Sequence, residues 1–171
     1  MLEIVKTING LRFSELMYVY NESNALNGSE RYPDRTVEHQ LLEAEQDFYL
    51  YLTSVFFRQT DSFYAIWEED GRYQSALRLE PYADGYLLCA LETAPDARRR
   101  GYAAKLISAV QTYLVQTGGS KIYAHVSKKN KPSLAVHRKC GFQIVHDHAV
   151  YSDGSVLRNS YTFLYHEKSE T

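Results

Sequence analysis

The run Leu87-Leu88-Cys89-Ala90-Leu91 is apolar without a break. Half-buried strands alternate, so an unbroken run of this length reads as a central strand covered on both faces. Two alternating segments precede it, at residues 63–67 and 72–80, joined by the turn signal Asp70-Gly71. Pro81 and Asp84-Gly85 close a second hairpin, which places the apolar run inside a third strand at residues 86–93. Behind it, residues 101–116 carry Ala103, Leu106, Ile107, Val110 and Leu114 on one side, a helical stripe that Gly118-Gly119 ends.

The flanks follow the same logic. Residues 2–8 form a short β-like run stopped by Asn9-Gly10. Phe13, Leu16, Met17 and Tyr20 give residues 11–24 a helical period, and residues 27–34, with Gly28, Ser29 and Pro33, read as a loop. A longer helix at 36–56 has the stripe Val37, Leu41, Ala44, Phe48, Tyr51 and Val55. After the helix at 101–116 come a strand at 121–126 and a short helix beginning at Asn130 or Ser133 and ending at Gly141. A final hairpin follows, with strands at 143–151 and 156–165 about Ser152-Asp153-Gly154. The order β-α-α-β-β-β-α-β-α-β-β is an α/β arrangement, a central mixed sheet with helices on both faces. No repeat or linker divides it, so residues 1–171 read as one domain.

Charge narrows the function classes. Nineteen basic and 21 acidic side chains give a net charge of −2, without the basic excess of a protein held by nucleic-acid phosphates. No apolar run approaches bilayer length, and MLEIVKTING lacks the basic start and apolar core of a signal peptide. A cytoplasmic location is expected, with neither nucleic acid nor membrane as partner. Cys89 and Cys140 fit neither a disulfide scaffold nor a zinc spacing, and His146 with His148 on one strand face lacks a third ligand, so no metal is expected. Fifteen tyrosines are many for 171 residues, and buried phenols need hydrogen-bond partners.

The segment Leu91-Glu92-Thr93-Ala94-Pro95-Asp96-Ala97-Arg98-Arg99-Arg100-Gly101-Tyr102-Ala103 carries the chemistry. A buried strand runs into a short loop that opens a helix, and helix N-termini present unpaired N–H groups to anions. Gly101 lets a ligand approach the backbone, Ala103 keeps the first turn narrow, and Arg98, Arg99 and Arg100 add positive potential. These are the features of a pyrophosphate cradle, though neither a P-loop nor a GxGxxG fingerprint is present. Arg98-x-x-Gly101-x-Ala103, followed after a helix and a strand by Asn130-x-x-Ser133 and His137-x-Lys139-x-Gly141-Phe142, resembles the GCN5-related N-acetyltransferase (GNAT) superfamily. Its acetyl-CoA motif is [Q/R]-x-x-G-x-[G/A], its second motif N-x-x-[S/A]-x-x-x-Y-x-K-x-G-F, and its element order matches that inferred here.

The resemblance implies a GNAT-like fold and transfer of an acetyl group from acetyl-CoA to a primary amine of a small molecule or protein. It implies that Arg98, Arg99, Arg100, Gly101, Tyr102 and Ala103 hold the pyrophosphate. It also implies that the pantetheine arm lies between splayed strands near Thr93 and Lys121, with Asn130, Ser133 and Lys139 touching the cosubstrate. Apart from the motifs, Lys128-Lys129-Asn130-Lys131 reads as a solvated loop, one that could reach the 3′-phosphate. At position 137 the family most often carries a tyrosine that protonates the departing thiolate. Here it is His137, able to donate to that thiolate, with Tyr102 or a cleft tyrosine as alternatives. Glu92, ending the central strand, is the candidate base for the cationic amine, with Glu80 in reserve. Acceptor choice in this fold falls to the N-terminal helices and final hairpin, here carrying Tyr18, Tyr20, Tyr32, Tyr49, Tyr151 and Tyr161. Ring faces attract ammonium groups. A homodimer through the C-terminal strands fits, and a non-catalytic acetyl-CoA sensor is the alternative function.

Overall fold

The computed structural model describes residues 1–119 and 121–166. Seven strands form one mixed sheet: β1 (Leu2–Val5), β2 (Phe63–Glu69), β3 (Arg72–Tyr82), β4 (Gly85–Thr93), β5 (Lys121–Ser127), β6 (Gln143–His146) and β9 (Ser160–His166). Their spatial order is β1-β2-β3-β4-β5-β9-β6, antiparallel except for the β4–β5 pair. The helices α1 (Phe13–Val19), α2 (Asn21–Arg31) and α3 (Val37–Ser54) precede β2, while α4 (Tyr102–Gln116) and α5 (Lys131–Lys139) flank β5.

Strand alternation sorts the side chains into two cores. Tyr64, Ile66, Tyr73 and Ala76 pack with Leu16, Met17 and Val19 of α1 and with Leu52 of α3. From the opposite face, Leu77, Leu79, Leu88, Ile122 and Ala124 meet Leu106, Ile107, Val110 and Leu114 of α4. Each such aliphatic side chain contributes about 1.5–3 kcal/mol when fully removed from water. The mixed sheet with helices on both faces agrees with the order read from the sequence.

Three local readings need correction. The region 11–34 is two helices rather than a helix and a loop, because Tyr20 breaks the first and Asn21 starts a second that continues to Arg31. Gly28, the loop signal, sits inside α2 where the helix crosses α3; a Cβ there would stand 2.2 Å from the carbonyl oxygen of Gln40. It is a close-approach glycine, and its sequence neighbours give no sign of that. The strand expected at 143–151 is two pieces, β6 and β7 (Ala149–Val150), interrupted by a bend at Asp147-His148. Its partner is likewise divided into β8 (Val156–Leu157) and β9.

The third correction bears on function. Only Leu87 and Leu88 of the apolar run are buried; Cys89, Ala90 and Leu91 are half-buried. The far end of the strand lines a cleft instead of a core.

Candidate active site

A bulge and a splay build this cleft. Along β3 and β4, Ala76 faces Glu92 and Arg78 faces Cys89, so Ala90 and Leu91 together oppose Leu77. Such an extra residue bends its strand. Ala90 takes φ 50°, a left-handed conformation that alanine rarely adopts, and the buried Tyr20 hydroxyl donates to its carbonyl oxygen at 2.6 Å. On the other edge, β4 pairs with β5 only over Tyr86–Leu88 against Ile122–Ala124. Beyond Leu88 the two parallel strands separate, leaving backbone groups of Cys89–Thr93 without a β5 partner. The splay expected between Thr93 and Lys121 is therefore present, and it opens at the C-terminal ends.

At the mouth of the splay α4 begins. Gly101 precedes its first turn at φ 84°, with nothing within 4 Å of where a Cβ would stand, and no side chain caps the helix. The first intrahelical bond runs from the Lys105 N–H to the Gly101 carbonyl, so the preceding N–H groups remain available to an anion. A cavity of 840 Å³ lies over this turn, walled by Leu91, Glu92, Thr93, Arg98, Arg99, Gly101, Tyr102 and Ala103 from one side. Asn130, Ser133 and Lys139 of the second motif wall it from the other. Arg100 is exposed and outside that wall. The Arg98 guanidinium is already engaged, donating to Glu22 at 2.7 Å and, through Nε, to the Thr93 carbonyl at 3.4 Å. The Tyr102 side chain is buried in the core with its hydroxyl donating to Glu69. That hydroxyl is therefore already engaged. The open glycine face, the uncapped turn and the unpaired strand edge fit the pyrophosphate and amide-rich arm of acetyl-CoA.

A second cavity, of 390 Å³, continues from the first through the shared residues Leu91, Asn130 and Ser133. Arg78, Cys89, Ala90, His125, His137 and Tyr151 line it. Asn130 caps α5 by accepting the Ser133 N–H at 3.1 Å. His137, 2% exposed, packs against Phe142 and Phe163. Its Nδ1 lies 2.8 Å from the Ser133 carbonyl oxygen, which only accepts, so Nδ1 carries the hydrogen and Nε2 is left as a buried lone pair without a partner. Burial holds this imidazole below its ordinary pKa.

Glu92 lies on the α1–α3 face of β4, where burial raises its carboxyl pKa against the opposing pull of a Ser23 hydrogen bond and the Arg98 charge. Glu80, the reserve, accepts from Tyr51 at 3.3 Å. Of the six tyrosines expected around the acceptor, Tyr151 alone lines this cavity. Tyr20 supports the bulge, Tyr32 donates to Asp47, Tyr18 lies beneath the Arg72 guanidinium, Tyr49 meets Phe13, and Tyr161 packs on the α4 face.

Two cleft residues escaped the sequence reading. His125 stands between the edges of Tyr82 and Tyr151, with both ring nitrogens buried and unpartnered and its pKa lowered by burial. Arg78 reaches the cleft from mid-β3. Both sit opposite to core-facing neighbours in alternating strands, a signal that marks a face without saying what lies over it.

The fold recurs among solved structures. It is similar to a PaiA N-acetyltransferase from Thermoplasma acidophilum crystallised with coenzyme A, 14% identical over 98% of this chain and 99% of that one, with a TM-score of 0.63. An aminoglycoside 6′-acetyltransferase of type Ii aligns over 100% and 99% of the two chains at 13% identity and a TM-score of 0.65. The ribosomal-protein-S18-alanine N-acetyltransferase from Escherichia coli aligns over 100% and 98% at 14% identity and 0.59. No curated protein sequence matches the chain significantly. The model of the acetyltransferase (GNAT) family matches residues 21–142, which span the bulge, the α4 cradle and the second motif. The chain belongs to the acetyltransferase (GNAT) family.

Proposed function

We propose that this protein transfers an acetyl group from acetyl-CoA to a primary amine of a small molecule or an exposed protein amino group, by direct attack of the amine on the thioester. The single observation that carries this reading is the junction of the two cavities at Leu91, Asn130 and Ser133, between the uncapped α4 turn and the titratable cleft. Backbone N–H groups from Gly101 to Ala103, with Arg98 and Arg99, take the pyrophosphate. Arg98 then exchanges Glu22 for phosphate, while Arg100 contributes long-range potential only. Thr93 and the unpaired edge of β4 bond the pantetheine amides, and Asn130, Ser133 and Lys139 close the opposite wall. The basic loop at Lys128, Lys129 and Lys131 serves the 3′-phosphate.

Chemistry follows from position and proton balance. An ammonium cannot attack, so Glu92 takes one proton from the acceptor, a role helped by a carboxyl whose pKa is raised by burial. The free amine forms the new N–C bond, a strand N–H stabilises the carbonyl oxygen as it gains charge, and the C–S bond breaks. Nitrogen loses its second proton to water, and the thiolate takes one from a cleft acid. Exchange with solvent returns Glu92 and that acid to their starting forms, so one proton is released per ammonium acylated. Neutral His137 does not donate from Nε2; its imidazolium does. Tyr151, whose phenol burial keeps protonated, is a neutral donor in the same cavity. Among neighbouring folds, a spermidine N-acetyltransferase chimera and the ribosomal-protein-S18-alanine enzyme show that small and protein amines are both served by this architecture.

Among the described residues no helix is long and apolar enough to cross a membrane. We keep a cytoplasmic setting, and a homodimer through the C-terminal strands where Ile144 and Val145 of β6 are exposed. Thiol release from acetyl-CoA with a panel of amines tests the transferase. Turnover that needs both amine and acetyl-CoA supports it; binding of acetyl-CoA without thiol release from any amine favours the non-catalytic sensor.

A further inference from the structure

Arg78 is a half-buried cation with no ion-pair partner among the described residues. It sits in the middle of β3, opposite Tyr64 on β2 and Cys89 on β4. Its guanidinium carbon lies 4.8 Å from the centre of the Tyr51 ring and 5.5 Å from that of Phe56. Those rings hold the plane of the group and leave its N–H edge unsatisfied. Among the described residues it makes no ion pair within 4 Å and no side-chain hydrogen bond, and Nε is buried with no partner. Glu80, two residues along the strand, accepts from Tyr51 and forms no ion pair with it. Cys89, pushed up to about 12 by burial, and the phenols of Tyr20, Tyr51 and Tyr64, all raised by burial, stay neutral. Glu80 and the surrounding phenols favour the guanidinium charge at longer range, but among the described residues none of them closes a hydrogen bond or ion pair to it, and arginine does not escape burial by losing its proton.

Place gives this unpaired guanidinium a meaning. Arg78 lines the 390 Å³ cavity under the splay and also a 730 Å³ cavity between α2 and α3, and it is the single residue common to both. The second cavity contains none of the residues of the α4 cradle. A planar fork of N–H donors matches a carboxylate bidentately. We propose that Arg78 anchors a carboxylate carried by the acceptor, so that the substrate is an amino-acid-type amine rather than a simple amine or polyamine. This rests on the acetyl-transfer reading and specifies its acceptor.

A carboxylate could also arrive on the acyl group of a dicarboxylic thioester, and the experiment separates the two sources. Thiol release is followed with acetyl-CoA and three matched panels: free amino acids, their carboxamides and their decarboxylated amines. The expected result is turnover of one or more amino acids, with kcat/KM lower by about tenfold to a hundredfold for the matching carboxamide, the range of one charge-assisted pair. Arg78→Met removes that preference by raising KM for the acid, while the thermal shift produced by acetyl-CoA alone is unchanged. Arg78→Lys keeps part of the preference, and the acid-against-amide comparison on the unaltered protein needs no variant at all.

Equal use of acids, amides and amines overturns the proposal. So does a preference for succinyl-CoA over acetyl-CoA that Arg78→Met abolishes, since the carboxylate would then belong to the acyl group. Turnover of simple amines alone removes the Arg78 assignment and leaves the transferase standing. An intact acetyl-CoA shift with no turnover on any panel removes both.

Discussion

Replacing Tyr20 by phenylalanine tests whether the bulge, and through it the cleft, depends on one hydroxyl. The Tyr20 side chain is 3% exposed and its O–H donates to the Ala90 carbonyl at 2.6 Å. Ala90 is held at φ 50°, which costs an L-residue about 1–2 kcal/mol, so the contact acts on a strained residue. Loss of a hydrogen bond of this kind costs about 1–2 kcal/mol. For a chain of this length each kcal/mol moves the midpoint by about 2–4 °C, so Tyr20→Phe lowers Tm by about 2–8 °C. Scanning calorimetry measures this directly. The bulge also re-aims Glu92 and opens β4 from β5, so the variant loses kcat more than it loses affinity for acetyl-CoA. Adding Ala90→Gly, which relieves the backbone strain, restores about 1 kcal/mol. A Tyr20→Phe variant with unchanged Tm and unchanged kcat refutes the idea that this bond holds the bulge.

Further outcomes are expected of the site itself. Glu92→Gln lowers kcat by about a hundredfold or more while acetyl-CoA still raises Tm. Because burial raises the folded-state pKa of Glu92, its ionisation costs stability only as pH rises from the ordinary carboxylate value through the raised one. The glutamine variant therefore gains on the wild type at neutral pH and not at acid pH, in paired denaturant titrations. Saturating acetyl-CoA at about 100 times its Kd adds about 2.7 kcal/mol, a Tm shift of about 5–10 °C, and Gly101→Val abolishes it by placing a side chain on the open face of the turn. Depression of the His137 pKa makes its contribution full above its unfolded value, about 6.5, and lost as pH falls through it. His137→Phe reduces the loss of stability between neutral and mildly acid pH, and His125, shifted in the same direction, accounts for part of what remains. A stability profile unchanged by His137→Phe would refute its burial as a neutral ring.

Hydrophobic period and turn chemistry are properties of neighbouring residues, and these were legible in the chain. The stripe Leu106, Ile107, Val110 and Leu114 specifies α4 and the face it buries, and Asp70-Gly71 specifies the β2–β3 hairpin. The proposed cradle was legible for the same reason: Arg98, Gly101 and Ala103 lie within six residues at the start of α4. Where distant segments meet, the sequence was silent. Gly28 looks like a loop residue until α3 crosses it, and the apolar run at 87–91 looks uniformly buried until β5 diverges from it.

The candidate catalytic and acceptor groups lie on that second side of the division. His137 matched the motif by position, yet it is Phe163 of β9, with Phe142, that buries its ring. Tyr102 followed the cradle by sequence, and packing turned its ring into the core. Arg78 and His125 looked like polar residues on alternating strands; only the closing of β3, β4 and β5 over one cleft gave them a common cavity. Local backbone chemistry is set by residues a few positions apart, so the sequence by itself determined most of the elements and the uncapped glycine turn that opens α4. Burial and the lining of the cleft depend on groups dozens of residues away, so tertiary structure alone decided which side chains meet there.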